Sequence, residues 1–279
     1  MIRKELQKKI DQAILLLKAY DNPDEPVEIA YSGGKDSDVI LQLAKEAGIN
    51  FRAIYKNTTI DPPGTIKHAQ EMGAEILQPI DGKSFLKLIE ESGMPSGKRR
   101  ICCDFLKEYK VLDKSVQGIR SVESRKRKEN YKEPTTCRLY GSKENHVEVI
   151  LPILEWTDED VAEFIADRGI KCAPVYYDEN GCFHVERRLG CIGCCLKSRN
   201  LRRKDFKKYP KLLRQIIRRL GLYRATHPNS SVNKNFQNEY EQMYFDLFCG
   251  SLKKYKYKDG LFDKPDFKKF LEDYFDVKL

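Results

Sequence analysis

Between Ala30 and Val39 the chain reads AYSGGKDSDV, and the residue types in that short stretch suit one kind of guest. Two adjacent glycines, Gly33 and Gly34, let a backbone come close to a ligand, and amides at a helix N-terminus attract anions. Lys35 adds a cation, and Ser32 and Ser37 add hydroxyls. The guest this points to is a phosphate. The spacing is not that of the Walker loop, which has a longer glycine interval before its Lys-Ser, nor that of the G-x-G-x-x-G dinucleotide fingerprint.

The cysteines form a second constellation. Cys191 and Cys194 make a C-x-x-C inside GCIGCC, where glycines allow two thiolates to turn toward one centre, and Cys182 lies nine residues upstream. Cys102 and Cys103 add an adjacent pair, and Cys195 a further thiol. Such spacing fits iron-sulfur or zinc, and His184 would complete a Cys/His zinc site. Cys137, Cys172 and Cys249 have no partner at ligand spacing, and Cys137 and Cys172 read as small buried hydrophobes.

The third set lies in GIRSVESRKR. Arg120 follows a short apolar strand, at the carboxyl edge of a sheet where open α/β folds bind ligands, and arginine forks onto phosphate or sulfate better than other side chains. Arg120, Glu123 and Arg127 are therefore site candidates, whereas Lys126 and Lys128 read as loop charges.

These residues need elements to hold them. The pattern predicts helix 2–20, strand 27–31, helix 36–47, strand 51–55, helix 64–73, strand 75–78, helices 83–91 and 103–113, and strands 115–119 and 147–151. That alternation implies an α/β fold with a doubly wound, mostly parallel sheet over residues 1–155. From WTDEDVAEFIADRG onward, residues 156–279 read as a helical, cysteine-rich and then basic region, with no flexible joint at the change.

Composition limits the function classes. A hydrophobic content of 41% supports a packed core in a 279-residue chain, and no apolar run approaches the roughly 18 residues of a membrane span. The N-terminus is charged throughout and lacks a signal-peptide core, so the expected compartment is the cytoplasm, where nine cysteines favour metal or redox chemistry over disulfides. The net charge of +9 is concentrated, since twelve Lys and Arg stand against the single Asp205 between Lys197 and Arg224. That block is either a solvated face or a surface for DNA or RNA, with Phe206, Tyr209 and Tyr223 interleaved for stacking.

The strand, SGGKDS and helix resemble the PP-loop of the adenine nucleotide alpha hydrolases, a Rossmann-like superfamily that cleaves ATP between its alpha and beta phosphates. With NTTIDPPGT, RRICCDFLKEYKV, GIRSVESRKR, PILEWTDEDVAEFI and VYYDENGCFHVERRLGCIGCC following in order, residues 25–200 resemble the phosphoadenosine-phosphosulfate (PAPS) reductase family in its broad sense. That family includes sulfonucleotide reductases and ATP pyrophosphatases that modify nucleic acids. The resemblance implies that Gly33, Gly34, Ser32, Ser37 and Lys35 hold pyrophosphate, that Asp36 or Asp38 helps place magnesium, and that Lys107 falls at the family's lysine after the cysteine pair. It also implies a 4Fe-4S cluster. The CC and CxxC arrangement of the reductases is matched by Cys102 and Cys103 with Cys191 and Cys194, while the C-x8-C-x2-C arrangement of the DNA-phosphorothioation enzymes is matched by Cys182, Cys191 and Cys194, with Cys103 or Cys195 as the fourth ligand.

Two departures bear on substrate. True reductases carry a degenerate phosphate loop, because sulfated adenylate has no pyrophosphate to hold, and they end in a mobile ECGLH cysteine. Here the loop is intact and the chain ends EDYFDVKL, with Cys249 in FCGSL the nearest substitute for that nucleophile. The expected activity is adenylation of an acceptor by ATP and then sulfur transfer, with a cysteine desulfurase or other persulfide donor as partner. The alternatives are a sulfonucleotide reductase and a non-catalytic, metal-stapled nucleic-acid-binding module.

Overall fold

The computed structural model describes residues 2–140, 145–249 and 265–279. Helix α1 (Lys4–Ala19) places Leu6, Ile10, Ala13 and Leu17 along one buried face, as their three- and four-residue spacing requires. Each of its large side chains contributes about 1.5–3 kcal/mol of burial. Strand β1 (Val27–Tyr31) is nearly continuous in apolar residues because helices cover both faces of a parallel sheet. Its exception, Glu28, is buried and paired with Lys56 at 3.1 Å, and it also accepts the Leu112 amide at 3.0 Å.

The chain continues through α2 (Lys35–Ala47), β2 (Phe51–Lys56), α3 (Thr65–Glu71), β3 (Glu75–Leu77), α4 (Phe85–Ser92), α5 (Ile101–Leu106), β4 (Lys114–Val116), α6 (Arg125–Asn130), β5 (Thr135–Tyr140), β6 (Asn145–Ile150) and α7 (Asp158–Asp167). The sheet order is β3-β2-β1-β4-β6-β5, parallel throughout except for the antiparallel β5–β6 pair. This is the expected mostly parallel α/β sheet. β5 went unread in the sequence because TTCRLY lies among charged residues and forms an edge, where few of its side chains need be apolar. The predicted helix 103–113 is confined to Ile101–Leu106, and the strand expected at 115–119 stops at Val116, so the chain is already irregular when it reaches Arg120.

The chain divides into two compact units. The first comprises residues 1–57, 61–79 and 104–190, so it carries the whole sheet and runs on through α7. The second comprises residues 58–60, 80–103 and 191–279. In it α4 packs against α9 (Pro210–Thr226), with α8 (Arg199–Lys208), α10 (Ser231–Asn235), α11 (Glu239–Tyr244) and α12 (Phe267–Phe275) around them. Its core is aromatic: Phe248 meets Tyr244, Phe270, Tyr274 and Phe275, and Phe206 stands edge-on to Phe275. No described helix is long and apolar enough to cross a membrane.

Candidate active site

The turn from β1 into α2 builds the phosphate loop. Gly33 adopts a left-handed φ of +74°, and a Cβ there would lie 2.9 Å from the Thr65 methyl. At Gly34, the N-cap of α2, a Cβ would crowd the Tyr176 hydroxyl at 3.3 Å. Gly33 is therefore required by backbone conformation and by space, whereas at Gly34 a side chain would need Tyr176 to shift by a few tenths of an ångström. α2 begins at the loop, its Lys35 amide donating to the Tyr176 hydroxyl. Ser37 donates to the Gly34 carbonyl at 2.7 Å, and the Ser32 and Ser37 hydroxyls are 3.3 Å apart.

Lys35 is buried, with Nζ 3.0 Å from Asp36 Oδ2. The other Asp36 oxygen accepts from Arg120 Nε at 2.7 Å. Arg120 is itself fully buried and spends its remaining fork on Asp158 at 2.7 Å and the Trp156 carbonyl at 3.3 Å. The sequence placed Arg120 on the ligand. The structure gives it three protein acceptors and makes it the residue that orients Asp36.

Asp38 also differs from expectation. It is completely buried, accepting from the Tyr31 hydroxyl and standing 2.9 Å from His68 Nε2. Burial pushes its carboxyl up, while bonds from His68, Tyr31 and Cys172 oppose that. Tyr31 and Asp38 flank residues 32–37, so their bond closes the loop at its base.

A polar cavity of about 220 Å³ opens at this loop. Ser32, Gly34, Lys35, Asp36 and Ser37 line one side, Gly118, Glu123 and Arg127 another, and Tyr176, Arg188 and Leu189 the third. Tyr176 lies against Lys35, its ring centre 5.7 Å from Nζ, and burial first among its surroundings pushes the phenol up to about 12. Glu123 is paired with Arg127, and Arg188 approaches it at 3.9 Å. Lys107, one residue beyond α5, is exposed and lies outside this lining. Arg188, Tyr176 and Leu189 were missed by sequence reasoning. The only signal was the paired arginine of VERRLGC, read then as part of the cysteine segment.

The thiols gather mainly in the second unit. Cys191 to Cys195 form a turn in which Gly193 has a φ of +66°, and a side chain there would collide with the Phe206 ring. The turn is fastened on both sides: the Gly193 amide donates to Asp205 at 2.8 Å, Arg202 donates to the Gly193 carbonyl at 3.2 Å, and the Ile192 amide donates to the Ile60 carbonyl at 2.8 Å. The Cys102 thiol is raised by its bond to Cys103, by burial, and by interaction with Cys195 and Cys191. Cys195 is raised by its bond to Cys194 and by burial, with the buried Arg202 guanidinium acting in the opposite sense. Cys102 thus interacts with thiols 89 and 93 positions further on, the donor type that iron-sulfur and zinc both accept. Among the described residues no three Cys, His, Asp or Glu side chains stand at metal-binding geometry.

Cys182 is exposed in the first unit, its amide donating to Asp178 at 2.8 Å. His184 stands 3.1 Å from both Asp178 and Glu186. Cys172 is buried as expected, but against Asp38. Cys137, expected inside, is exposed on the edge strand β5, 3.7 Å from His146 Nδ1. Burial raises the Cys249 thiol, the wrong direction for a nucleophile at neutral pH.

The basic block is partly internal. Arg202 is buried and paired with Asp246, Arg203 donates to the Leu247 carbonyl at 3.0 Å beneath the Phe248 ring, and Arg219 pairs with Glu90. Lys211, Arg214 and Arg218 remain exposed at the spacing of one α9 face.

Residues 26–197, more than half the chain, match the phosphoadenosine phosphosulfate reductase domain. The chain is 27% identical over 237 residues to "Uncharacterized protein MJ0973" of Methanocaldococcus jannaschii, covering 77% of this chain and 54% of that one. It is 31% identical over 161 residues to an uncharacterized 37.8 kDa protein of Escherichia phage 186, covering 51% and 43%. The chain therefore spans about half the length of the curated relatives it matches. Among solved structures, a PAPS reductase from Candida auris in phosphate complex superimposes with a TM-score of 0.41 at 13% identity, over 62% of this chain and 90% of that one. The FMN adenylyltransferase of Candida glabrata superimposes with a TM-score of 0.43 at 13% identity, over 62% and 58%.

Proposed function

The chain belongs to the phosphoadenosine phosphosulfate reductase domain family, and on that premise we propose that it is an ATP pyrophosphatase that adenylates an acceptor for sulfur transfer. The coarser statement, an enzyme acting on nucleotides, follows from the family. The finer one is carried by a single observation: the SGGKDS loop is intact, and Lys35, Ser32 and the α2 N-terminus face a polar cavity of about 220 Å³.

In this reading the loop amides and Lys35 take the beta and gamma phosphates of ATP. An acceptor oxygen attacks the alpha phosphorus, the bond from that phosphorus to the bridging oxygen breaks, and pyrophosphate leaves. Lys35 and the amides hold the charge that develops on it, with the Ser32 hydroxyl on the same cavity wall. The outer sulfur of a persulfide donor then displaces AMP from the acceptor, and a second thiol of the donor attacks the resulting acceptor–donor disulfide, which leaves the sulfur on the acceptor and a disulfide on the donor. Asp36 is the residue that would hold magnesium. Each of its oxygens already bonds one cation, Lys35 or Arg120, so it would offer magnesium only a remaining lone pair, and the phosphates and waters would supply the other ligands. When bound, magnesium would neutralise phosphate charge.

Cys102, Cys103, Cys191, Cys194 and Cys195 are the thiols that would hold a 4Fe-4S cluster, or zinc in its place. Support comes from the all-thiol donor set, while the buried Arg202 guanidinium only partly opposes the rise that Cys194 and burial impose on the Cys195 thiol. A nucleic-acid acceptor is supported by Lys211, Arg214 and Arg218 on the outer face of α9. Replacing these three by alanine should flatten the salt dependence of DNA or RNA binding by about 0.7–0.9 per lost phosphate contact.

The test of the reaction is stoichiometry. With ATP, magnesium and acceptor, AMP and pyrophosphate should form one for one. Release of ADP and phosphate, or sulfite from sulfated adenylate with thioredoxin, contradicts it.

A further inference from the structure

The cavity beside the loop carries a charge excess that the pyrophosphate site does not use. Lys35 and Arg120 both bond Asp36, and Arg120 is further balanced by Asp158. At the other side a single carboxylate, Glu123, faces two guanidiniums, Arg127 and Arg188. The two come from separate stretches of chain. Arg127 lies in α6, and Arg188 lies in the irregular segment before the C-x-x-C turn, where a terminal nitrogen also donates to the Glu123 carbonyl at 3.4 Å. Burial and the nearby Arg188 charge both act against the Arg127 cation. Arg188 keeps about two thirds of its side chain open to solvent although it lines the cavity.

A pair of like charges beside one carboxylate is a poor arrangement for stability alone, and a good one for a divalent oxyanion that bridges both forks. We infer that Arg188 is a specificity-determining residue which, with Arg127, clamps a second tetrahedral oxyanion of the ligand. This rests on the nucleotide reading of the site above. The oxyanion is separate from the pyrophosphate on the loop and has two sources of the same chemistry: the alpha phosphate of an adenylate, or a sulfate joined to it.

Calorimetric titration of the full chain with pyrophosphate, AMP, ATP and adenosine 5′-phosphosulfate separates them. Arg188→Ala should leave pyrophosphate affinity within about twofold while weakening AMP and ATP at least about tenfold, equivalent to roughly 1.4 kcal/mol. Arg188→Lys should recover only part of that, because a point charge lacks the planar fork. A loss confined to adenosine 5′-phosphosulfate assigns the clamp to sulfate and supports the inference by its second source. Equal affinities in wild type and Arg188→Ala for every nucleotide overturn it, as does failure of the wild type to bind any of them. Binding of ATP with an Arg188-dependent loss but no cleavage leaves the clamp standing and sinks the pyrophosphatase reading instead.

Discussion

Arg120 Nε lies 2.7 Å from Asp36 Oδ1, so the second residue after the glycine pair is aimed by a buried arginine from the far side of β4 in the chain. The carboxylate is fixed before any ligand arrives, with Lys35 on its other oxygen.

Removing that arginine should be felt in two ways. Arg120→Ala leaves Asp36 without its buried partner and should lower stability by about 3 kcal/mol in urea unfolding. Arg120→Lys keeps the charge but cannot reach Asp36 and Asp158 together, and should retain the fold while cutting ATP turnover at least about tenfold. Wild-type turnover in the lysine variant would show that Asp36 does not need orienting.

The Tyr31 hydroxyl offers a cleaner deletion. Tyr31→Phe removes one donor to Asp38 and leaves the aromatic packing, so unfolding free energy should fall by about 1–3 kcal/mol. An unchanged urea midpoint would mean that His68 alone satisfies the carboxylate.

The sheet and the loop were legible because each depends on short-range pattern: apolar runs for β1, β2 and β6, and a glycine pair whose first member takes a left-handed backbone that suits glycine. Charge roles were not legible. Nothing in GIRSVESRKR distinguishes an arginine that meets phosphate from one buried between Asp36 and Asp158, because the answer lies 84 residues upstream and 38 downstream. Asp38 was misread for a related reason. Its helical position turns it from the loop toward His68, and the sequence shows the helix without showing what lies beneath. The basic block exposes the same difficulty, since Arg202 and Arg203 serve the π-helical turn Phe245–Cys249 rather than solvent.

Asp160 sets an acid limit on the first unit. Burial alone would raise its carboxyl, but bonds from Lys9 at 2.6 Å and from the Thr157 capping box hold it below the usual range. A depressed folded value contributes stability above the unfolded value of about 3.9 and loses it as pH falls through the folded one. Asp160→Asn should therefore be destabilised at pH 7, with the gap to wild type shrinking below about pH 4. A gap independent of pH in urea titrations would contradict this.

Metal content tests the thiols directly. Protein purified without oxygen should carry iron and sulfide, and Cys191→Ser or Cys194→Ser should lose both, whereas Cys137→Ser on the exposed edge strand should keep them. Stoichiometric zinc in colourless wild-type protein excludes the cluster, and absence of both metals excludes the site.

The most direct test of the central claim is AMP formation from ATP and magnesium by wild type and by Lys35→Ala, followed together with thermal unfolding of the same samples. The account predicts AMP and pyrophosphate from wild type, and a loss of at least about 100-fold in the variant with a cooperative transition retained, because Lys35 holds the departing pyrophosphate. Equal AMP formation by the two proteins would contradict it.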